Sequence, residues 1–362
     1  MSQVAARPND PGRPLRVCVI PGDGIGPEVL AAAVRALRAL APDAELVEAE
    51  AGWAAFERHG DALPPATLEA ARAADATLFG AVASPNHAVP GYSSPIVRLR
   101  RELDLYANIR PTQGPGVNLV IVRENTEGLY AGRERSEDGG DTAIAERVIT
   151  RRASTRIARA ACELAGRRAA ELGRPGRVTV VHKANVLRVS DGLFREAALA
   201  VARDYPDLAV EELLVDVAAM RLAQEPARFD VVVTTNLFGD ILSDVACIHG
   251  GGLGLAASAN LGDGRGLFEP VHGAAPDIAG RGVANPMAAL ECAAMLLEGR
   301  GRPPPRPPLG RAAWFGGGGG RPAEAARLRA AAAVTLRDGP RTPDLGGRAT
   351  TAAVTEAVLE RL

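Results

Sequence analysis

The chain has 362 residues, 47% hydrophobic and 23% charged, with a formal net charge of −1. That length suits two domains or one large α/β unit. The balance excludes a basic nucleic-acid binder, a disordered acidic tail and a membrane-embedded protein. One number stands out: of the 42 Lys and Arg residues, Lys183 is the single lysine. An ammonium can give up its proton near neutral pH when desolvated, whereas a guanidinium in practice does not.

The segment Met1–Pro14 is polar and lacks the apolar stretch of a secretory signal. Residues 16–20 read as a buried strand, followed by a glycine turn, Pro21–Gly26. A helix then opens at Pro27 and runs through Leu40. The turn Gly22-Asp23-Gly24-Ile25-Gly26 is spaced G-x-G-x-G, not the G-x-G-x-x-G of a dinucleotide fingerprint. Two readings stand there: a cofactor turn, or a tight strand-to-helix turn with no cofactor role. Further strands are predicted at Ala76–Phe79, Asn118–Val122, Val178–Val181 and Asp230–Thr234. Alanine- and arginine-rich helical stretches separate them, which predicts an α/β fold with at least partly parallel pairing.

Candidate chemistry follows the same order. Arg98, Arg100, Arg101 and Arg110 lie close together, and Arg123 ends a strand. Such a group can grip a di- or tricarboxylate bidentately, although Arg98 and Arg101 fit a solvated helix face better. Tyr130 closes Arg-Glu-Asn-Thr-Glu-Gly-Leu-Tyr and is either an acid or a packed aromatic. Lys183 follows the strand Val178–Val181 directly, and strand C-termini are where α/β proteins put ligands. Asp240 and Asp244, four apart, share one face of a helix and repel unless a cation lies between them. An oxygen-only set favours Mg²⁺ or Mn²⁺ over zinc. His272–Gly280 is a turn-rich loop, in which Asp277 could accept ribose hydroxyls. Gly299–Gly320 is Pro-rich, then has five glycines at Gly316–Gly320, and predicts an exposed, mobile loop joining parts of one domain. Cys18, Cys162, Cys247 and Cys292 lie far apart, as reduced cytoplasmic thiols would.

Together, Gly22–Val29, Leu103–Pro111, Arg123–Tyr130, His182–Leu187, Asn236–Asp244 and Glu269–Pro286 resemble the β-decarboxylating dehydrogenases. This family includes the isocitrate, 3-isopropylmalate and homoisocitrate enzymes. The resemblance implies an α/β, non-Rossmann fold of two domains with a large mixed sheet. Residues 1–109 with 262–362 would bind the cofactor; 110–261 would hold substrate, metal and dimer contacts. It implies substrate contacts at Ser94, Val97, Arg100, Arg110, Arg123 and Asn185, and catalytic roles for Tyr130 and Lys183. Lys183, in cationic surroundings, would accept the hydroxyl proton, and Tyr130 would protonate the carbon after carbon dioxide leaves. Metal ligation by Mg²⁺ or Mn²⁺ is implied at Asp216, Asp240 and Asp244. NAD contacts are implied at Glu269, His272, Gly273, Ala275, Asp277 and Asn285, with Asp277 standing where NADP-dependent members usually carry lysine. Lys183 and Asp216 would come from a partner subunit, so a homodimer or dimer-based oligomer is implied.

The stretch Gly91–Arg100, the Glu48–Trp53 segment and the ending Gly339–Gly347 resemble the homoisocitrate branch. That branch turns homoisocitrate into 2-oxoadipate in the α-aminoadipate route to lysine. Ile96 and Val97 are apolar where a carboxylate-tailed substrate wants a donor, which keeps a 3-alkylmalate open. Isocitrate or 3-isopropylmalate dehydrogenase and a non-catalytic regulatory subunit are the alternatives. Tyr130, Lys183, Asp240 and Asp244 standing together argue against the last.

Overall fold

A computed structural model describes residues 14–87, 89–299 and 320–362. The predicted glycine run lies outside the described residues except for Gly320. The chain forms two compact units: one takes residues 14–103, 253–299 and 320–362, the other 104–252. No helix among the described residues is long and apolar enough to cross a membrane.

The first unit opens with β1 (Arg16–Gly22), α1 (Gly26–Leu40), β2 (Glu45–Glu48), α2 (Trp53–His59), α3 (Pro65–Ala73), β3 (Ala76–Ala81) and α4 (Pro95–Glu102). The second unit runs β4 (Ala107–Gly114), β5 (Val117–Glu124), β6 (Gly128–Glu137), β7 (Thr142–Val148), α5 (Arg151–Leu172), β8 (Arg177–His182), α6 (Ser190–Ala202), β9 (Ala209–Leu214), α7 (Val215–Gln224), β10 (Val231–Thr234) and α8 (Asn236–Cys247). The chain then returns to the first unit with β11 (Ala257–Gly262), β12 (Arg265–Pro270), α9 (Met287–Glu298), α10 (Pro322–Asp338) and α11 (Thr351–Leu359). Each unit carries an α/β arrangement with five strands of mixed direction.

In the first unit the order is β2-β1-β3-β12-β11, parallel except for the β11/β12 pair. Its core is α9, whose side chains from Met287 to Leu290 and from Cys292 to Leu297 are buried, as expected of a helix apolar all round. In the second unit the order is β4-β5-β10-β8-β9, with β4 antiparallel to β5 and the rest parallel. Leu119, Ile121, Val181 and Val232 from its strands pack with Leu222 of α7 and Leu242 and Ala246 of α8. β6 and β7 form a separate antiparallel hairpin.

The glycine turn is a packing device. A Cβ on Gly22 (φ +73°) would lie 1.9 Å from the Ala81 carbonyl oxygen, and one on Gly26 would lie 2.2 Å from that of Pro21. Close approach of β1, β3 and α1 therefore demands residues without side chains. Asp23 between them is buried and accepts from the amides of Trp53 (2.7 Å), Ala54 (3.1 Å) and Ala83 (2.9 Å), satisfying the first turn of α2.

Candidate active site

The second unit gathers its reactive groups around α8. Leu242 and Ala246 turn into the core, and this leaves Asp240 and Asp244 together one helical turn apart on the outward side. Behind Asp240 two guanidiniums are almost fully buried: Arg123 from the end of β5 at 1% exposure and Arg110 from β4 at 8%. Arg123 donates to Asp240 Oδ1 at 2.6 Å and, through Nε and Nη2, to Asn236 Oδ1 at 3.0 and 2.6 Å. Arg110 lies 3.2 Å from the same carboxylate oxygen and 3.8 Å from Asp244. It is steered by Asn108 (2.8 Å) and Ser243 (2.7 Å). Two buried cations are costly unless paired, and Asp240 is the carboxylate that both reach.

Tyr130 projects from the irregular start of β6 and donates its hydroxyl to Asp240 Oδ2 at 2.5 Å, with the Arg123 guanidinium 5.1 Å from its ring centroid. Burial first, then the Asp240 hydrogen bond and charge, push its phenol above the ordinary range. Tyr130 therefore stays protonated across neutral pH, the state a proton donor needs. Partial burial raises the Asp244 carboxyl, Arg110 opposes the rise and Asp240 adds to it. Two like charges on neighbouring turns of a helix are what a cation would relieve, and their all-oxygen chemistry fits Mg²⁺ or Mn²⁺.

Asp216 does not join them. Among the described residues no three His, Cys, Asp or Glu side chains come together as a metal cage. Asp216, exposed at the start of α7, instead accepts from Lys183 Nζ at 2.5 Å. Its carboxyl is held below the usual range chiefly by that hydrogen bond. The cationic surroundings expected for Lys183 thus give way to an anionic neighbour. An ammonium has no lone pair, so Lys183 must give up a proton before it can accept one. Asn185, on the same turn, is exposed.

The first unit carries the remaining candidates. Ser94 precedes α4, and Val97 (half-buried) and Arg100 (7% exposed) follow on one face at positions three apart. Arg100 pairs with Glu269 at 2.9 Å, and Asn260 donates to the same Glu269 oxygen at 2.8 Å. Arg98, read from sequence as a solvated cation, is half-buried and paired with Asp61.

Between β12 and α9 the chain is irregular. Ala275 sits at φ +40°, a conformation L-residues rarely adopt, and the Ala274 carbonyl before it is held by the Ile25 amide at 2.9 Å. Strain of this kind persists only where the surroundings impose it. His272 Nδ1 lies 3.0 Å from the Gly273 carbonyl oxygen, while Nε2 is buried with no hydrogen-bond partner. Burial keeps this imidazole below its ordinary pKa, hence neutral. Gly273 and Asp277 are exposed, whereas Asn285 is buried and tied to Asp344 and the Met287 amide. An orphaned ring nitrogen beside an exposed backbone stretch fits a polar ligand such as a nucleotide.

Sequence reading missed Asn108, Asn236 and Ser243 as steering groups, and Gly239 as the space that admits Arg123. A Cβ on Gly239 would lie 2.6 Å from both Cβ and Cγ of the buried Arg123. Gly239→Ala should therefore cost about 1–3 kcal/mol through overpacking, and should raise KM for an anionic substrate by displacing Arg123. Chemical denaturation and steady-state kinetics check this; unchanged values for both would show that Arg123 can give way.

The family model described as isocitrate/isopropylmalate dehydrogenase matches residues 16–358. The chain is 51% identical over 356 residues to an isocitrate/homoisocitrate dehydrogenase of Thermus thermophilus, covering 96% of this chain and 98% of that one. It is 47% identical over 340 residues to a 3-isopropylmalate dehydrogenase of Archaeoglobus fulgidus, covering 92% and 94%. The crystal structure of isocitrate dehydrogenase from Methylococcus capsulatus superposes with a TM-score of 0.85 at 42% identity, covering 96% of this chain and 99% of that one.

Proposed function

The chain belongs to the isocitrate/isopropylmalate dehydrogenase family of β-decarboxylating dehydrogenases, and on that premise we propose that it oxidises homoisocitrate with NAD and a divalent metal, releasing carbon dioxide and 2-oxoadipate. The observation that carries this reading is the cluster of Tyr130, Arg110, Arg123, Asp240 and Asp244, with Lys183 and Asp216 poised as a second pair. It combines carboxylate grips, a proton donor, a proton acceptor and hard-cation ligands in one unit.

When bound, NAD would supply the hydride acceptor, and Mg²⁺ or Mn²⁺, which Asp240 and Asp244 would hold together with Asp216 of a second copy, would supply the Lewis acid. To grip substrate carboxylates, Arg110 and Arg123 would turn toward them donors that Asp240, Asn236, Asn108 and Ser243 now accept. Lys183 accepts the proton of the 2-hydroxyl as the carbon loses hydride, leaving a 2-oxo acid with a carboxylate on the neighbouring carbon. Carbon dioxide departs from that carbon, and Tyr130 delivers a proton to it, which completes 2-oxoadipate. Asp277, an exposed anion in the loop read as the NAD segment, disfavours the extra phosphate of NADP.

A homodimer supplies what one chain does not gather. Exposed apolar side chains flank each group that needs a second copy: Val186 and Val189 beside Lys183, Met220 one turn after Asp216, and Ile241 between Asp240 and Asp244. Apolar side chains left this exposed beside reactive groups are what a second copy would cover.

A 3-alkylmalate is the second reading. Ile96 and Val97 put half-buried apolar side chains on α4, and the Archaeoglobus relative carries the isopropylmalate name. Measuring kcat/KM for homoisocitrate, isocitrate and 3-isopropylmalate, each with NAD and with NADP, decides between them. Homoisocitrate with NAD is expected to lead. A lead for 3-isopropylmalate would mean that Ile96 and Val97 set the specificity, and silence with all three would favour a non-catalytic role.

A further inference from the structure

The turn that presents Lys183 is fixed from beneath by groups that the chemistry above does not use. The amides of Val186 and Leu187 donate back to the Lys183 carbonyl at 3.0 and 2.9 Å, and the Lys183 amide donates to Asp191 Oδ2 at 2.6 Å. Asp191 is fully buried in the first turn of α6. Its other oxygen accepts from Arg147 Nη1, and the Arg147 side chain is itself only 13% exposed.

Arg147 comes from β7, the return strand of the hairpin whose outgoing strand carries Tyr130. Its Nη2 donates to Thr235 Oγ1 at 2.7 Å, at the residue that caps α8. Its guanidinium lies 4.8 Å from the ring centroid of Phe238 in the first turn of the same helix. One guanidinium thus reaches the turn carrying Lys183 through Asp191 and directly contacts the start of the helix carrying Asp240 and Asp244, from the hairpin carrying Tyr130.

We propose that Arg147 is a positioning residue for the reaction, locking the Lys183 turn to the start of α8 through Asp191 and Thr235. This rests on the roles given above to Lys183, Tyr130 and Asp240. The physical grounds are directional. A buried carboxylate needs its counter-charge, and here that counter-charge also fixes the oxygen that receives the Lys183 amide. A guanidinium offers two donors in one rigid plane, so it can hold Asp191 and Thr235 at a set separation; an ammonium carries the charge without the plane.

Lys183 being the single lysine, protein labelled with ¹⁵N-lysine gives one backbone amide cross-peak. Arg147→Gln is expected to shift that cross-peak and to lower kcat by about tenfold to a hundredfold, the scale of a small misplacement of a reacting group. KM for NAD should stay within about twofold, because the candidate NAD residues are remote in sequence and chemistry from this link. Arg147→Lys should recover part of kcat. Asp191→Asn, which keeps an oxygen for the Lys183 amide but loses the charge, should act like Arg147→Gln, and the double variant should be no worse than the more severe single one.

An unmoved cross-peak with kcat within about twofold of the unaltered enzyme overturns the proposal. So does a loss of activity that tracks only the folded fraction while the cross-peak stays in place. If Arg147→Gln does not fold, Asp191→Asn decides by the same two readouts. An unaltered enzyme that turns over none of the three acids would defeat the proposed function instead; the cross-peak would still show whether Arg147 holds the Lys183 turn.

Discussion

Replacing Lys183 by arginine lowers kcat by at least about a hundredfold and leaves the fold in place, the scale on which general acid–base groups act. The substitution separates charge from proton transfer. A guanidinium can still reach Asp216, which Lys183 holds at 2.5 Å, and pairs with carboxylates at least as well as an ammonium does. The turn itself is held by the backbone amide of residue 183 on Asp191, a bond that the side chain does not enter. Positive charge and turn geometry therefore both survive. What is lost is the ability to exist as a neutral base, because guanidinium remains protonated at any pH the protein survives. Steady-state turnover at saturating substrate, together with the thermal midpoint, checks this. An unchanged midpoint with collapsed turnover is the expected pair, and near-normal turnover would remove Lys183 from the chemistry.

Asp240→Asn acts on stability and activity together. Arg123 is 1% exposed and Arg110 8%, and Asp240 is the carboxylate that both reach. An asparagine keeps one oxygen for them but no charge. Leaving the two buried guanidiniums short of counter-charge should cost about 2 kcal/mol, since Asp240 is itself partly open to solvent. The metal concentration for half-maximal activity should rise at least about tenfold, as one of the anionic ligands is gone. Tyr130 gives an internal check. Its phenol is pushed up by burial and by Asp240, so neutralising Asp240 should let its titration fall back toward the ordinary tyrosine range. Ultraviolet titration, denaturant unfolding and metal-dependence curves read the three effects. Unchanged unfolding and an unchanged metal requirement would show that Asp240 neither balances the arginines nor binds the ion.

How far such a site can be read from the chain depends on how local each cue is. The pairing of Asp240 and Asp244 needs only the helical period, and α8 places them as the spacing requires. Lys183 at a strand end is similarly local, since β8 ends at His182. The strands β11 and β12 are harder to see. Their buried Ser258 and Asn260 are polar residues at core positions, and Asn260 donates to Glu269 and the Leu267 carbonyl across the ladder. The β6–β7 hairpin hides for the opposite reason: its outer residues are exposed and charged, so no apolar alternation marks it.

Asp191 and Arg147 are less legible still. Asp191 sits within an ordinary first helical turn, and its importance comes from the Lys183 amide, the Arg147 guanidinium and complete burial. Each is a tertiary fact. Gly239 belongs with them, because its lack of a side chain matters only once Arg123 crosses beneath α8. The expected cationic setting of Lys183 shows the converse error. That setting comes from the family resemblance, yet within one chain the group that reaches its ammonium is the carboxylate of Asp216 from α7.

The reaction proposed for this enzyme is metal-dependent oxidative decarboxylation of homoisocitrate with NAD. Its most direct measurement follows NADH and carbon dioxide together, from homoisocitrate and NAD, with Mg²⁺ or Mn²⁺ present and then removed by chelation. Equal amounts of NADH and carbon dioxide are expected, abolished by the chelator and restored by adding the ion back. NADH formed without carbon dioxide, or turnover indifferent to chelation, would contradict it.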